Sequence, residues 1–196
     1  MKISVLIALL MGAWACHPLV SHAADLSAGQ AKAQVCAACH GPAGASTQAE
    51  YPILAGQPAQ SIAIALFQFR EGNRKNPLMS PMAATLTNKD LNDLAAYYAA
   101  QKAPPPRATM SEALASQGRA LSVQYACVAC HGAKLQGQQQ MPRLAGQHRD
   151  YLRAQLLAFR NGQRMDLDGT MTSAAQSMAA QDVDTMADYL AALPTE

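Results

Sequence analysis

The chain has 196 residues, enough for one ordinary domain or two small ones. Its formal net charge of +2 argues against a nucleic-acid-binding protein, which needs a basic face, and against general disorder. Val, Ile, Leu and Phe together number only 35, alanine alone numbers 41, and the 11 Val and Ile residues are too few for a large β-sheet. The composition therefore predicts a helical protein with a thin core.

The first 23 residues have the pattern of a secretory signal peptide. One basic residue, Lys2, precedes the apolar stretch Ile3–Ala15, and the segment Ser21-His22-Ala23 supplies a small-residue cleavage site. The apolar stretch is shorter than the ~20 residues of a membrane-spanning helix. Cys16 offers lipid attachment as an alternative, but the residues before it lack the usual Leu and small-residue pattern. We predict that residues 1–23 are cleaved, which leaves 14 basic and 13 acidic side chains and four cysteines.

The rest of the chain is a duplication. Four segments recur in the same order about 90 positions later: Cys36–Gly41 as Cys127–Gly132, Tyr51–Gln57 as Met141–Gln147, Phe69–Arg74 as Phe159–Arg164, and Asp90–Tyr97 as Asp182–Tyr189. A polyproline-like segment, Lys102–Arg107, separates the two copies. We predict a first domain at 24–102, a proline-rich linker at 103–110 and a second domain at 111–196.

Each half is predicted to contain three helices. The first half has Asp25–Val35, Gln57–Gly72 and a third helix with an apolar stripe of Leu91, Leu94, Ala95 and Tyr98. Thr87 and Asp90 precede that stripe with about the spacing of a capping box. The second half has Glu112–Tyr125, Gln147–Gly162 and Gln181–Leu193. Domains this small seldom hold together on such cores, so a staple, metal or cofactor is expected.

The sequence Cys-x-x-Cys-His occurs once in each half, at the end of a predicted helix. Two thiols at this spacing can form thioethers with two vinyl groups of a haem, and the adjacent histidine then reaches the iron. Zinc would require the two distant cysteine pairs to converge, and a disulfide within each pair is the other alternative for an exported chain. Because histidine follows both pairs, we predict two covalently bound haem c groups. The thioether residues are Cys36, Cys39, Cys127 and Cys130, and the iron ligands are His40 and His131.

Six-coordinate iron needs a second ligand opposite each histidine. The candidates are Met79 and Met82 in the first half, and Met165, Met171 and Met178 in the second. Met79 lies eleven residues before Asp90, and Met171 lies eleven residues before Asp182, its repeat partner. The repeat register therefore selects Met79 and Met171. We expect the other three methionines to pack in the core or line the pocket, and we expect His148, which matches Pro58, to be a surface residue.

Histidine and methionine together leave no open iron position for oxygen or peroxide, and the thioether favours ferrous iron. This ligand pair predicts an electron carrier and not an enzyme. Each histidine also needs an acceptor for its other ring N–H. The carbonyl groups of Pro52 and Pro142, twelve and eleven residues after the histidines, are placed to accept it; stiffening of the loop is the alternative role of these prolines.

At these residues the chain resembles the dihaem cytochrome c4 family. The resemblance rests on the two Cys-x-x-Cys-His-Gly motifs, the two Pro-x-Leu-Ala-Gly-Gln loops, the segment Phe69–Arg74 and the methionine segments before each last helix. It implies an all-α fold of two tandem cytochrome c domains with their haems near a pseudo-twofold interface. It further implies a periplasmic carrier, often associated with the membrane surface, that passes electrons from an upstream reductase towards a terminal oxidase. We expect a monomer that binds redox proteins and no nucleic acid.

An alternative function belongs to a different class. Dihaem cytochromes of this architecture resemble electron-accepting subunits of sulfide- or thiosulfate-oxidising complexes and of other dehydrogenases. A dihaem peroxidase would need an iron with an open site, and the presence of both methionines argues against it. The second half departs from the first at Asp166–Thr170, where Met171 is reached through a longer acidic loop.

Overall fold

The computed structural model describes residues 23–195. The predicted signal peptide lies almost entirely outside the described residues. The described part holds nine α-helices: α1 Leu26–His40, α2 Ala59–Arg70, α3 Met79–Ala83, α4 Asn88–Ala99, α5 Glu112–Gln124, α6 Cys127–His131, α7 Arg149–Arg160, α8 Thr170–Ser177 and α9 Asp182–Ala192. Within it, β structure is limited to an isolated bridge between Gln138 and Met141. The all-α prediction is confirmed, and none of the helices in this range has the length and apolar character needed to cross a membrane.

The first and last helices of each half cross at a glycine. At Gly29 in α1, an added Cβ would lie 2.2 Å from the backbone oxygen of Asp93 in α4. At Gly118 in α5, an added Cβ would lie 2.0 Å from the ring of Tyr189 in α9. The absence of a side chain is what lets each helix pair approach so closely. These crossings fix the direction of α1 and α5, which lead into the two cysteine motifs.

The capping box predicted before α4 is confirmed. The Thr87 hydroxyl accepts from the backbone N–H of Asp90 at 3.2 Å, and the Asp90 carboxylate accepts from the backbone N–H of Thr87 at 2.9 Å. Asp90 also pairs with Lys32 of α1 at 2.9 Å. The cap therefore ties the start of α4 to α1, the helix that carries the first cysteine motif.

The two cysteine motifs enter the fold differently. The first lies within α1, which continues past the predicted end at Val35 to His40. In the second half the chain breaks at Ala126, a non-glycine residue with φ of +55°, and α6 begins at Cys127. The break accompanies the inward placement of Tyr125, whose hydroxyl donates to the Asp182 carboxylate at 2.6 Å and accepts from the Ala179 N–H at 3.1 Å. Tertiary contacts of Tyr125 thus outweigh the backbone cost of the break.

Buried polar contacts join the two domains. Arg143 has only 3% of its surface exposed, and its guanidinium donates to the carbonyl oxygens of Ala55 in the first domain and Ala145 in the second. The surface position expected for His148 is wrong, because its ring is buried and its Nε2 lies 3.0 Å from the Ser46 carbonyl of the other domain. The equivalent position in the first domain is a proline, so the repeat comparison contained no signal for this contact. The interface between the domains therefore contains buried, hydrogen-bonded polar side chains.

Candidate haem sites

The two cysteines of each motif lie one turn apart on a helix. Cys36 and Cys39 occupy the last turns of α1, and Cys127 and Cys130 occupy α6. The i, i+3 spacing turns both thiols of a pair towards the same side. All four thiols are free and partly buried. Cys36 and Cys127 pack against the buried cores of their domains, and this burial raises the pKa of both thiols.

Each motif histidine ends its helix with the ring buried. His40 and His131 both have 6% of their surface exposed, and burial lowers the pKa of each imidazole. Nδ1 of His40 lies 2.9 Å from the Pro52 carbonyl oxygen, and Nδ1 of His131 lies 2.8 Å from that of Pro142. Because a carbonyl can only accept, Nδ1 must carry the proton. The other nitrogen, Nε2, keeps its lone pair for a metal ion.

The structure places Met79 at the first residue of the short helix α3. Its backbone N–H donates to the Asn76 side-chain oxygen at 2.8 Å, and the Leu78 N–H donates to the same oxygen at 2.9 Å. An Asx side chain that accepts from the backbone two and three residues later fixes the turn that starts α3. Asn76 is thus a positioning residue for Met79 that was not predicted from the sequence.

Asp166 does the same for Met171 in the acidic loop of the second half. Its carboxylate accepts from the backbone N–H groups of Met171 and Thr172 at 2.8 and 2.9 Å and from the Thr172 hydroxyl at 2.6 Å. Burial works against the charge, but these hydrogen bonds outweigh it and lower the pKa of Asp166 to about 2. Met171 is partly buried and packs against the core of the second domain. The acidic loop is therefore a cap for α8 that carries Met171 to the core.

The other methionines divide into two kinds. Met178 is 3% exposed and packs in the core, as predicted. Met82 and Met165 are not part of the buried core of the protein chain, with 47% and 59% of their surface exposed. Met82 lies within α3 and Met165 in the loop before α8. Side-chain type alone did not distinguish these positions.

The donor set fits two covalently bound haem groups. Each domain offers two thiols on one helix face and a buried imidazole with Nε2 free, and within residues 23–195 no group of three or more His, Cys, Asp or Glu side chains is arranged as a metal site. Two buried guanidinium nitrogens, Nε of Arg143 and Nε of Arg164, have no hydrogen-bond partner in the described chain. Haem carries propionate carboxylates, the acceptors that buried cations need.

Two family descriptions match the chain, one in each half. Residues 115–194 match the family described as Cytochrome c. Residues 23–97 match the family described as Cytochrome C oxidase, cbb3-type, subunit III. Each match contains one Cys-x-x-Cys-His motif, so the chain holds two cytochrome c domains and two covalently bound haem c groups.

Relatives extend over nearly the whole chain. Cytochrome c4 of Thiocapsa roseopersicina is 41% identical over 179 residues, which cover 86% of this chain and 93% of that protein. The crystal structure of reduced recombinant cytochrome c4 from Pseudomonas stutzeri matches with a TM-score of 0.78 at 33% identity, covering 87% of this chain and 100% of the other. A protein named thiosulfate dehydrogenase electron acceptor from Stutzerimonas stutzeri strain A1501 is 39% identical over 170 residues, covering 81% of this chain and 79% of that protein.

Proposed function

Because this chain belongs to the cytochrome c4 family, it is a dihaem electron carrier and not an enzyme, and we propose that it works in the periplasm and passes electrons towards a terminal oxidase. The observation that carries the proposal is the pair of buried histidines, each with Nδ1 hydrogen-bonded to a proline carbonyl and Nε2 left for iron. Two such sites in one chain suit a protein that accepts and delivers electrons one at a time.

The proposed axial ligands are His40 and Met79 for haem 1, and His131 and Met171 for haem 2. Bound haem supplies one-electron chemistry between ferric and ferrous iron. The chain's own part is to keep each site dry and its ligands fixed. The proline carbonyls hold the imidazole rings in one tautomer and orientation, and Asn76 and Asp166 hold the methionine segments by their backbone N–H groups. Fixed ligands mean that little geometry changes with oxidation state, which favours fast electron transfer.

An optical spectrum with a reconstitution assay tests this function. The purified holoprotein should show two low-spin haems, with the long-wavelength ferric band of methionine ligation. Reduced protein added to membranes that contain a terminal oxidase should then drive oxygen uptake that depends on its concentration. A high-spin ferric haem with peroxide turnover would contradict the carrier function. Normal spectra without any oxygen uptake would contradict only the oxidase as acceptor.

A second function is favoured by one comparison. A relative named thiosulfate dehydrogenase electron acceptor is 39% identical to this chain, so the same two haems would suit a subunit that accepts electrons from a dehydrogenase. The two functions differ in the electron donor. If the oxidised protein is reduced by thiosulfate only when a thiosulfate dehydrogenase is present, and copurifies with it, the subunit function holds.

Export to the periplasm is tested by the mature amino terminus. We propose that residues 1–23 are removed, so that the mature protein begins at Ala24. Mass spectrometry of the protein purified from a periplasmic fraction should find that terminus and a mass increase of two haems. We further propose a monomer with peripheral attachment to the membrane surface, which light scattering and sedimentation with vesicles would test. A full-length chain in the cytosol would contradict the proposed location.

A further inference from the structure

Two buried glutamines join the domains in a reciprocal pattern. The side-chain oxygen of Gln147, in the second domain, accepts from the Ile53 N–H at 2.8 Å, and its amide nitrogen donates to the Ile53 carbonyl at 2.9 Å. Gln57, in the first domain, does the same to Arg143, with distances of 2.9 and 3.0 Å. Both glutamines are almost fully buried, with 4% and 6% of their surface exposed. Each carboxamide thus forms two hydrogen bonds to the backbone of one residue in the opposite domain.

Ile53 and Arg143 directly follow Pro52 and Pro142, the prolines whose carbonyl groups are hydrogen-bonded to the two histidines. The Ile53 N–H belongs to the same peptide group as the Pro52 carbonyl, and that carbonyl accepts from Nδ1 of His40. In the second domain the Arg143 N–H and the Pro142 carbonyl form the equivalent peptide group, which accepts from His131. The glutamine of one domain therefore binds the peptide group that orients the histidine of the other.

A peptide group transmits this contact electrically. A hydrogen bond accepted from its N–H polarises the group, and its carbonyl oxygen becomes a stronger acceptor, because hydrogen bonds in a chain reinforce one another. A stronger acceptor at Nδ1 makes the imidazole a more basic ligand, and a more basic ligand favours ferric over ferrous iron. Loss of the glutamine should weaken the bond at Nδ1 and raise the haem potential.

We propose that Gln57 and Gln147 are positioning residues that act across the domain interface, so that each sets the potential of the haem in the opposite domain. Gln147 acts on haem 1 through the 52–53 peptide group and His40. Gln57 acts on haem 2 through the 142–143 peptide group and His131. The proposal rests on the proposed function, since it takes the two histidines as iron ligands. Docking of the domains thereby becomes part of each haem site.

The experiment compares the holoproteins of wild type, Gln147→Met and Gln57→Met. Methionine has nearly the same length as glutamine but cannot make these hydrogen bonds. Gln155→Met is the matched control, because the Gln155 side chain also crosses the interface, accepting from Arg74 at 2.9 Å, but contacts neither peptide group. The first measurement is the Nδ1–H resonance of each ligand histidine in ferrous protein with ¹⁵N-labelled histidine. Contacts to the Tyr51 ring, whose centroid lies 6.3 Å from that of His40, identify the first domain.

The second measurement is a redox titration of each haem. In Gln147→Met we expect the His40 resonance to move upfield and the ferrous-to-ferric ratio of haem 1 at a fixed solution potential to rise about tenfold, equivalent to about 59 mV for a one-electron couple. The His131 resonance and haem 2 should keep their wild-type values. Gln57→Met should give the mirror-image result, and Gln155→Met should leave both Nδ1–H resonances unchanged.

Three results would overturn the proposal: no change at either histidine, a change confined to the mutated domain, or the same Nδ1–H shifts in the control. Small-angle scattering reports whether a variant separates its domains. If the domains separate, the hydrogen bonds of both Gln57 and Gln147 are lost, so both Nδ1–H resonances must move upfield. Unchanged resonances in a separated protein would again overturn the proposal. Failure of the ligand assignment itself would appear differently, as a wild-type spectrum without low-spin histidine–methionine haem.

Discussion

The replacement Gly29→Ala tests how closely α1 and α4 must pack to hold the first haem site. An alanine Cβ at this position would lie 2.2 Å from the Asp93 backbone oxygen and 2.9 Å from the Tyr97 Cβ. A backbone oxygen cannot rotate away, so the two helices must separate by about 1 Å to reach ordinary contact distances. Overpacking of this kind typically costs about 1–3 kcal/mol, and the rigid neighbour puts Gly29 at the upper end. The higher helix propensity of alanine offsets up to about 1 kcal/mol of this cost, so the free energy of unfolding should fall by about 2 kcal/mol in total.

Hydrogen exchange measured by mass spectrometry can localise this loss. A loss of about 2 kcal/mol corresponds to roughly 30-fold faster exchange of the amides that open with the whole first domain. Peptides from α1 and α4 should show it, and peptides from α5 and α9 should not. Gly118→Ala is the matched variant, because its Cβ would meet the Tyr189 ring at 2.0 Å and the effect should appear in the second domain.

Exchange as slow as in wild type would show that the helix crossing at Gly29 tolerates a side chain. An equal loss of protection in both domains would show that the packing cost is not local to the first domain. Either result would refute the close-packing role of Gly29. Ala31→Gly, at an exposed position of α1, gives the size of the propensity effect alone, about 1 kcal/mol.

Three further predictions concern the ligands, pH and the cofactor. Met79→Leu and Met171→Leu should each remove one half of the long-wavelength ferric band and lower the potential of the haem in the same domain; loss of the whole band from either variant would contradict the assignment. The Lys32 ammonium lowers the pKa of Asp90 to about 2, so this carboxylate stabilises the fold above pH 3.8 and stops doing so as the pH falls through 2. Asp90→Asn should therefore cost about 1 kcal/mol of unfolding free energy at pH 7 and much less at pH 2, where half of the folded molecules already carry the protonated acid, as measured by urea titration. An equal cost at both pH values would contradict this linkage. A chain made without haem, through Ala at the four cysteines of both motifs, should show little helix by circular dichroism, and native-like helicity would count against a cofactor-dependent core.

Most helix positions could be predicted from the sequence because periodicity and capping are local. The predicted Gln147–Gly162 contains α7, Arg149–Arg160, and the capping box before α4 is present. The continuation of α1 through the first cysteine motif could not be predicted, because Cys-Ala-Ala-Cys-His has no apolar period of its own. The break at Ala126 depends on the distant contacts of Tyr125, which no local pattern records.

In the haem sites too, features with a local sequence pattern could be predicted and features that depend on tertiary contacts could not. The cysteines and histidines were proposed from the sequence because haem attachment needs those residue types at that spacing, and the proline carbonyls lie where the loop length suggested. The repeat also contained Gln57 and Gln147 at matching positions. A repeated polar residue shows that a contact is kept, but it does not show whether that contact lies within a domain or between domains. Only the three-dimensional arrangement reveals that the glutamines bind across the interface.

The thin core predicted from composition explains why the stability of each domain depends on contacts with the other domain and with haem. The buried cluster of the first domain has only five residues, and two of them are alanines: Ala33, Ile62, Leu94, Ala95 and Tyr98. A domain of about 80 residues with so little buried apolar surface is at the limit of stability. A covalently attached haem adds a large apolar surface, and the small residues let the helices close around it. Burial of Gln57, Gln147 and Arg143 between the domains removes further surface from water, but only while their hydrogen bonds are complete. Cofactor binding and domain docking are thus parts of one folding problem, which explains why the peptide groups that orient the histidines are also the ones that hold the domains together.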